Sequence, residues 1–97
     1  MSLDIKLSRL AELDLEEIWL YTFEKWSLTQ ANYYQDNLYI GLNELASKTE
    51  LGRSISIDNR TFHYYKIAHH YIFYQEQENT LFVYRILHEM MDFPRHL

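Results

Sequence analysis

Along this chain the apolar positions change period twice. In "LDIKLS" Leu3, Ile5 and Leu7 alternate with polar neighbours, which predicts a short strand over Leu3–Leu7. Ser8 is placed to cap a helix in which Ala11, Leu15, Ile18, Thr22 and Trp26 fall at spacings of 4, 3, 4 and 4, one helical face. On that pattern Trp26 is core or hinge packing. "SLTQ" at 27–30 reads as a capping box, Ser27 capping and Gln30 reaching back, and opens a second helix with Ala31, Tyr34, Leu38, Leu42 and Leu45 inward. That register ends near "KTELGR", where Gly52 is expected to supply a positive φ. So short a connection makes the two helices an antiparallel hairpin.

Beyond residue 60 the period returns toward two. "RTFHYYKI", "HYIFYQE" and "LFVYRILH" are rich in aromatic and β-branched residues, with turns expected at "IAHH" and "EQENT". The prediction is α+β: an N-terminal strand, an antiparallel two-helix hairpin, then a three-stranded antiparallel meander in one sheet that the first strand joins. "LGRSISIDNR" is open, either loop or an extra strand. Residues 1–97 are expected to form a single domain.

Composition narrows the function. Nine Lys+Arg against fourteen Asp+Glu give −5, all of it in residues 1–50. An acidic chain lacks the attraction that supports nonspecific nucleic-acid binding, so neither direct duplex binding nor sequence-specific nucleic-acid contact is expected. With no cysteine, thiolate sites and disulfides are excluded. No stretch reaches the roughly 20 apolar residues of a membrane span, and the N-terminus lacks a signal-peptide layout, so the expectation is a cytoplasmic protein. Nine tyrosines suit protein contacts.

Candidate chemistry is sparse. His69 and His70 are adjacent in a predicted turn and point to opposite faces; His63 and His88 lie on different strands and are candidates to meet across the sheet. No HExxH accompanies them, so surface or interface histidines are expected, with no metal and no cofactor. The two glycines, Gly41 and Gly52, leave no phosphate-cradling loop. Glu12, Asp14, Glu16 and Glu17 read as a solvated helix N-terminus. Arg53, Arg60, Lys66 and Arg85 fall in the sheet half, and Arg85 sits inside an apolar strand. It needs either an acid from the first helix or a phosphate or acidic partner. Trp19 and Tyr21 lie off the inner stripe, and Met90, Met91 and Phe93 form a half-apolar tail.

The ordered set Ala11, Asp14-Leu15, Ile18, Tyr21, Trp26, Gln30-Ala31, Tyr34, Leu38, Leu45-Ala46 and Gly52-Arg53, closed by "RILHEMMD" (85–92), resembles the ParE toxins of the RelE/ParE superfamily. The resemblance spans Leu3 to Asp92 and implies a β-αα-βββ fold. It implies the toxin half of a bacterial type II toxin–antitoxin pair, a poison of DNA gyrase that stabilises cleaved DNA and is not itself an enzyme. It also implies a hetero-oligomer with a cognate antitoxin whose disordered C-terminal segment wraps the toxin. Target- or antitoxin-binding candidates are then Trp19, Tyr21, Arg53, Arg60, Arg85, His88, Met90, Met91 and Phe93, with no catalytic residue. The family's usual glycine near Ser27, proline near Thr49 and arginine near Met90 are missing here. The competing branch, RelE-like ribosome-dependent mRNA endonucleases, would draw on Arg53, Arg60, Lys66, Tyr84, Arg85 and His88. A third reading is an inert partner acting in antitoxin-mediated repression.

Overall fold

The computed structural model describes residues 2–97. Strand β1 (Asp4–Leu7) leads into helix α1 (Arg9–Lys25), helix α2 (Leu28–Ser47) and a single 3-10 turn (Thr49–Leu51). Strands β2 (Arg53–Ile57), β3 (Arg60–Ile67), β4 (His70–Gln77) and β5 (Thr80–His88) follow, then a one-turn helix α3 (Phe93–His96). Both long helices start where a serine stops them from fraying. Ser8 Oγ accepts from Ala11 N at 3.0 Å, and Ser27 Oγ accepts from Gln30 N at 3.0 Å.

The sheet order is β1-β5-β4-β3-β2, with β1 parallel to β5 and every other pair antiparallel. Two-residue turns join the meander, and each places a residue in the left-handed region: Asp58 and Asn59 (φ 51° and 64°), Ala68 (53°) and Glu78 (52°). The helical hairpin packs on one face. Leu15, Leu38, Leu42 and Leu45 meet Ile72, Leu81, Val83 and Ile86, all essentially inaccessible. Each such side chain contributes roughly 1.5–3 kcal/mol of burial, and this layer carries the fold.

Three expectations change. "RSISI" is a strand, β2, so the meander has four strands and the sheet five. Gly52 has φ −73°, an ordinary value. Its glycine is required by close approach, because a Cβ there would run into the Tyr74 hydroxyl, which donates to Thr49 O at 3.5 Å. Trp26 is not core: α1 ends at Lys25, and the indole stands 71% exposed at the hairpin tip.

Candidate functional site

β1 reaches only as far as Val83 on β5, which leaves the second half of β5 without a strand on that side. The start of α1 fills the gap. Ser8 N donates to Val83 O at 2.9 Å, and Ser8 Oγ donates to Tyr84 O at 2.5 Å. One turn on, the buried Asp14 carboxylate accepts from Ile86 N at 2.9 Å, from Arg85 Nε at 2.8 Å and from Arg85 Nη2 at 2.9 Å. A bulge between Phe73 and Tyr74 leaves Tyr84 unpaired, so that Leu81 and Val83 before it and Ile86 after it all face the helices. Arg85 is thereby turned off the core face toward α1. The hydrogen bonds that Arg85 donates to Asp14 raise its pKa further above the usual value. Of the two roles open to Arg85, pairing with an acid of the first helix is realised. Asp14 is correspondingly no member of a solvated helix N-terminus.

The tail after β5 returns over the sheet face opposite the helices. Glu89 N donates to His69 O at 2.9 Å and Met90 N to His88 Nδ1 at 3.1 Å. Pro94 opens α3, and Phe93 drops into an aromatic cradle, its ring centroid 5.0 Å from Tyr71 and 5.2 Å from Phe73. Arg85 Nη1 donates to His96 O at 3.1 Å, so one guanidinium ties both α1 and the tail to β5. Phe73 is 1% exposed although no long helix covers that face. Phe93, one of the predicted contact residues, thus packs within the chain against Tyr71 and Phe73. Met90, at 84% exposure, and Met91 remain open to solvent.

His70 corrects the reading of surface histidines. It is 8% exposed and opens the inward parity His70, Ile72, Tyr74. The Tyr34 hydroxyl accepts from His69 N at 3.1 Å and shares a hydrogen bond with His70 Nδ1 at 2.6 Å. Burial, with His88 beside it (ring centroids 5.1 Å apart), pushes the His70 pKa down to about 4. Burial raises that of Tyr34. His88 therefore meets His70; His63 lies across β4 from it and stacks obliquely on Tyr74. On the surface Glu89 bridges Lys66 Nζ at 2.9 Å and His69 Nδ1 at 2.8 Å, which holds its carboxyl down at about 2. Among the described residues no three His, Asp or Glu are grouped to hold a metal ion.

The predicted contact residues fall into three places. Trp19 and Tyr21 lie on the hairpin, Trp19 half-buried with its Nε1 donating to Asn32 Oδ1 at 3.0 Å and its ring stacked 5.3 Å from Phe23. Tyr21 is exposed beside Lys25. Arg85, His88, Met90, Met91 and Phe93 gather around the tail. Arg53 and Arg60 sit apart, on the β2–β3 hairpin, Arg60 over the Phe62 ring. A concavity of about 930 Å³ brings together Arg60, His63, Tyr84, Arg85 and His96, but not Arg53, Lys66 or His88. Sequence reasoning missed Asp14, Tyr34, His70 and Phe73 as the partners that fix these groups.

Residues 5–93 match the family described as ParE toxin of type II toxin–antitoxin system, parDE. The chain belongs to the ParE toxin family. Toxin ParE1 of Mycobacterium tuberculosis, in two strains, is 33% identical over 98 aligned positions covering the whole of both chains. Toxin ParE1 of Caulobacter vibrioides is 27% identical over 92, covering 95% of each. Solved structures carry the same fold. The chromosomal ParDE toxin–antitoxin system of P. aeruginosa superposes with a TM-score of 0.75 at 12% identity, over 90% of this chain and 96% of that one. The toxin–antitoxin complex RelBE2 of M. tuberculosis gives 0.64 at 10%, over 91% and 99%. The β-αα-βββ expectation thus holds with one strand added, and this ParE-family chain keeps its Asp14–Arg85 pair at the join of helix, sheet and tail.

Proposed function

We propose that this toxin works by binding rather than by catalysis, that its target is DNA gyrase, and that a cognate antitoxin neutralises it in the bacterial cytoplasm by folding a disordered C-terminal segment onto it. The observation that carries the non-catalytic reading is the engagement of Arg85 by Asp14 and by the tail. Cleaving RNA through its 2′-hydroxyl needs a base and a cation that both face the phosphate. Arg85 spends Nε and Nη2 on Asp14 and Nη1 on His96 O, Lys66 is paired with Glu89, and the Tyr84 hydroxyl donates to Gln75. Arg60 alone among the basic groups lining the concavity keeps a guanidinium with no carboxylate partner among the described residues. One exposed arginine is a poor endonuclease.

The apolar surface supports a protein partner. Among the described residues, ten of the fourteen exposed large apolar side chains lie in residues 9–47, so the helical hairpin is the face that an antitoxin would cover. Met90 and Met91 offer a second, smaller patch for the target. Purified antitoxin-free toxin added to a gyrase supercoiling and DNA-cleavage reaction should inhibit supercoiling and accumulate cleaved DNA. Deleting residues after Leu87 should abolish that effect in a sample that remains folded. A folded full-length sample without effect on gyrase, and active on mRNA in translating ribosomes, would overturn the proposal.

A further inference from the structure

The sheet's two edges differ. At one, β1 is four residues long and the backbone before it is held, Leu3 N donating to Ala46 O at 2.9 Å. At the other, β2 lies open: Arg53, Ser54, Ile55 and Ser56 are all exposed, Ile55 at 38%. Its register with β3 determines which backbone groups are free. Ile57 and Arg60 close the two-residue turn at Asp58 and Asn59, so the ladder bonds to β3 fall at Arg53, Ile55 and Ile57. Ser54 and Ser56 therefore direct N–H and C=O outward, and no other backbone group among the described residues bonds to them. Exposed edges are commonly blunted by lysine, proline or a bulge. β2 has none of these and carries its one charge at its first residue.

We infer that β2 is a self-pairing edge, at which two copies of this chain join antiparallel and fuse their five-stranded sheets into one. Ser54 and Ser56 flank Ile55 symmetrically. A two-fold axis at Ile55 thus sets Ser54 of each copy against Ser56 of the other, and the outward donors and acceptors satisfy one another. The same register places Ile55 against its twin and each Arg53 beside the Asp58 turn of the second copy. Neither Arg53 nor Asp58 has an ion pair among the described residues, and the pairing supplies one to both. Charge also favours this edge over the helical face. Residues 9–47 hold two basic and seven acidic residues, so two helical hairpins repel, whereas residues 51–67 hold three basic and one acidic. A contact of one short strand per copy is small by the standard of lasting interfaces, so the pairing follows concentration. In the sheet order β2 stands at the far edge from β1 and β5, so the Met90 and Met91 patches of both copies stay uncovered and the pair is bivalent.

Sedimentation of the purified full chain from about 1 µM to about 1 mM should carry the mass from monomer to dimer. Over that range hydrogen exchange should slow at the Ser54 and Ser56 amides and stay constant at Ile55, which is bonded to β3 in either state. The chain has no cysteine, so a single introduced thiol reads the register. Facing residues of a non-hydrogen-bonded antiparallel pair have Cα atoms about 4.5 Å apart, within disulfide reach. Ile55→Cys should therefore oxidise to a covalent dimer at least about tenfold faster than Ser56→Cys, whose twin is offset along the strand. Ser56→Pro removes an outward N–H and no ladder bond to β3, so it should keep its circular dichroism and remain monomeric. A monomer at every concentration, equal oxidation at the two positions, or a dimer that survives Ser56→Pro would overturn the inference. None of these readouts depends on the target or the antitoxin.

Discussion

Asp14→Asn is the sharpest perturbation the structure offers, because it removes one charge and almost no volume. In the native chain three donors converge on that carboxylate at 2.8–2.9 Å, two of them from a guanidinium, with side-chain exposures of 11% for Asp14 and 17% for Arg85. Removing one partner of a buried pair leaves the other uncompensated, at about 3–5 kcal/mol. The residual exposure and the amide's remaining acceptor place Asp14→Asn near about 3 kcal/mol. For a chain of this length each kcal/mol moves Tm by roughly 4–8 °C, so the variant should melt roughly 12–24 °C lower. Urea unfolding gives the free energy, and a double-mutant cycle with Arg85→Met isolates the pair. The double variant should be more stable than the sum of the single losses allows, with a coupling of about 2 kcal/mol. A single-variant loss below about 1 kcal/mol, or an additive cycle, would refute the assignment of Arg85 to structure and return it to the target surface.

Further tests probe the other fixed points. His70 binds its proton near pH 4 when folded and near 6.5 when unfolded, so the unfolded chain holds more protons in between. Stability should be level above about pH 6.5 and fall by about 3 kcal/mol toward pH 4, and His70→Gln should flatten that slope in urea titrations at several pH values. Gly52→Ala should lose about 1–3 kcal/mol through the clash with the Tyr74 hydroxyl, and adding Tyr74→Phe should recover only part of it, because the ring carbon that bore the hydroxyl still stands 2.7 Å from the new Cβ; a Gly52→Ala variant as stable as the parent would contradict the close approach. Phe93→Ala should cost about 2 kcal/mol and speed hydrogen exchange in β4 around Phe73, because the half-buried ring is what covers that face. Unaltered exchange there would mean that the tail does not dock as described.

The helices and four of the five strands were legible because period, caps and turn residues agree at each of them. β2 was ambiguous for a physical reason. As an edge strand it is almost wholly exposed, so "RSISI" carries no burial contrast to read. Trp26 misled because the 4-3-4-4 stripe continues past the point where the backbone leaves the helix. Arg85 announced that it needed a partner, but which acid of α1 it takes depends on how the helix crosses the sheet. That angle is set by packing rather than by spacing. His70 was readable in retrospect from the alternation His70, Ile72, Tyr74, which the neighbouring His69 disguised as a polar turn. The docking of Phe93 had no signal at all, since a tail this short has no period.

Asp4 pairs with Thr80, so the first strand of the chain finds its neighbour only in the last. On the ribosome β1 has no strand to pair with, and the helical hairpin only part of its sheet to close against, until β5 follows. At about 5–20 residues per second that interval lasts for seconds. The order of synthesis therefore delays the closed sheet until β5 has been made. During that wait the nascent chain exposes the same surface by which a partner would hold it.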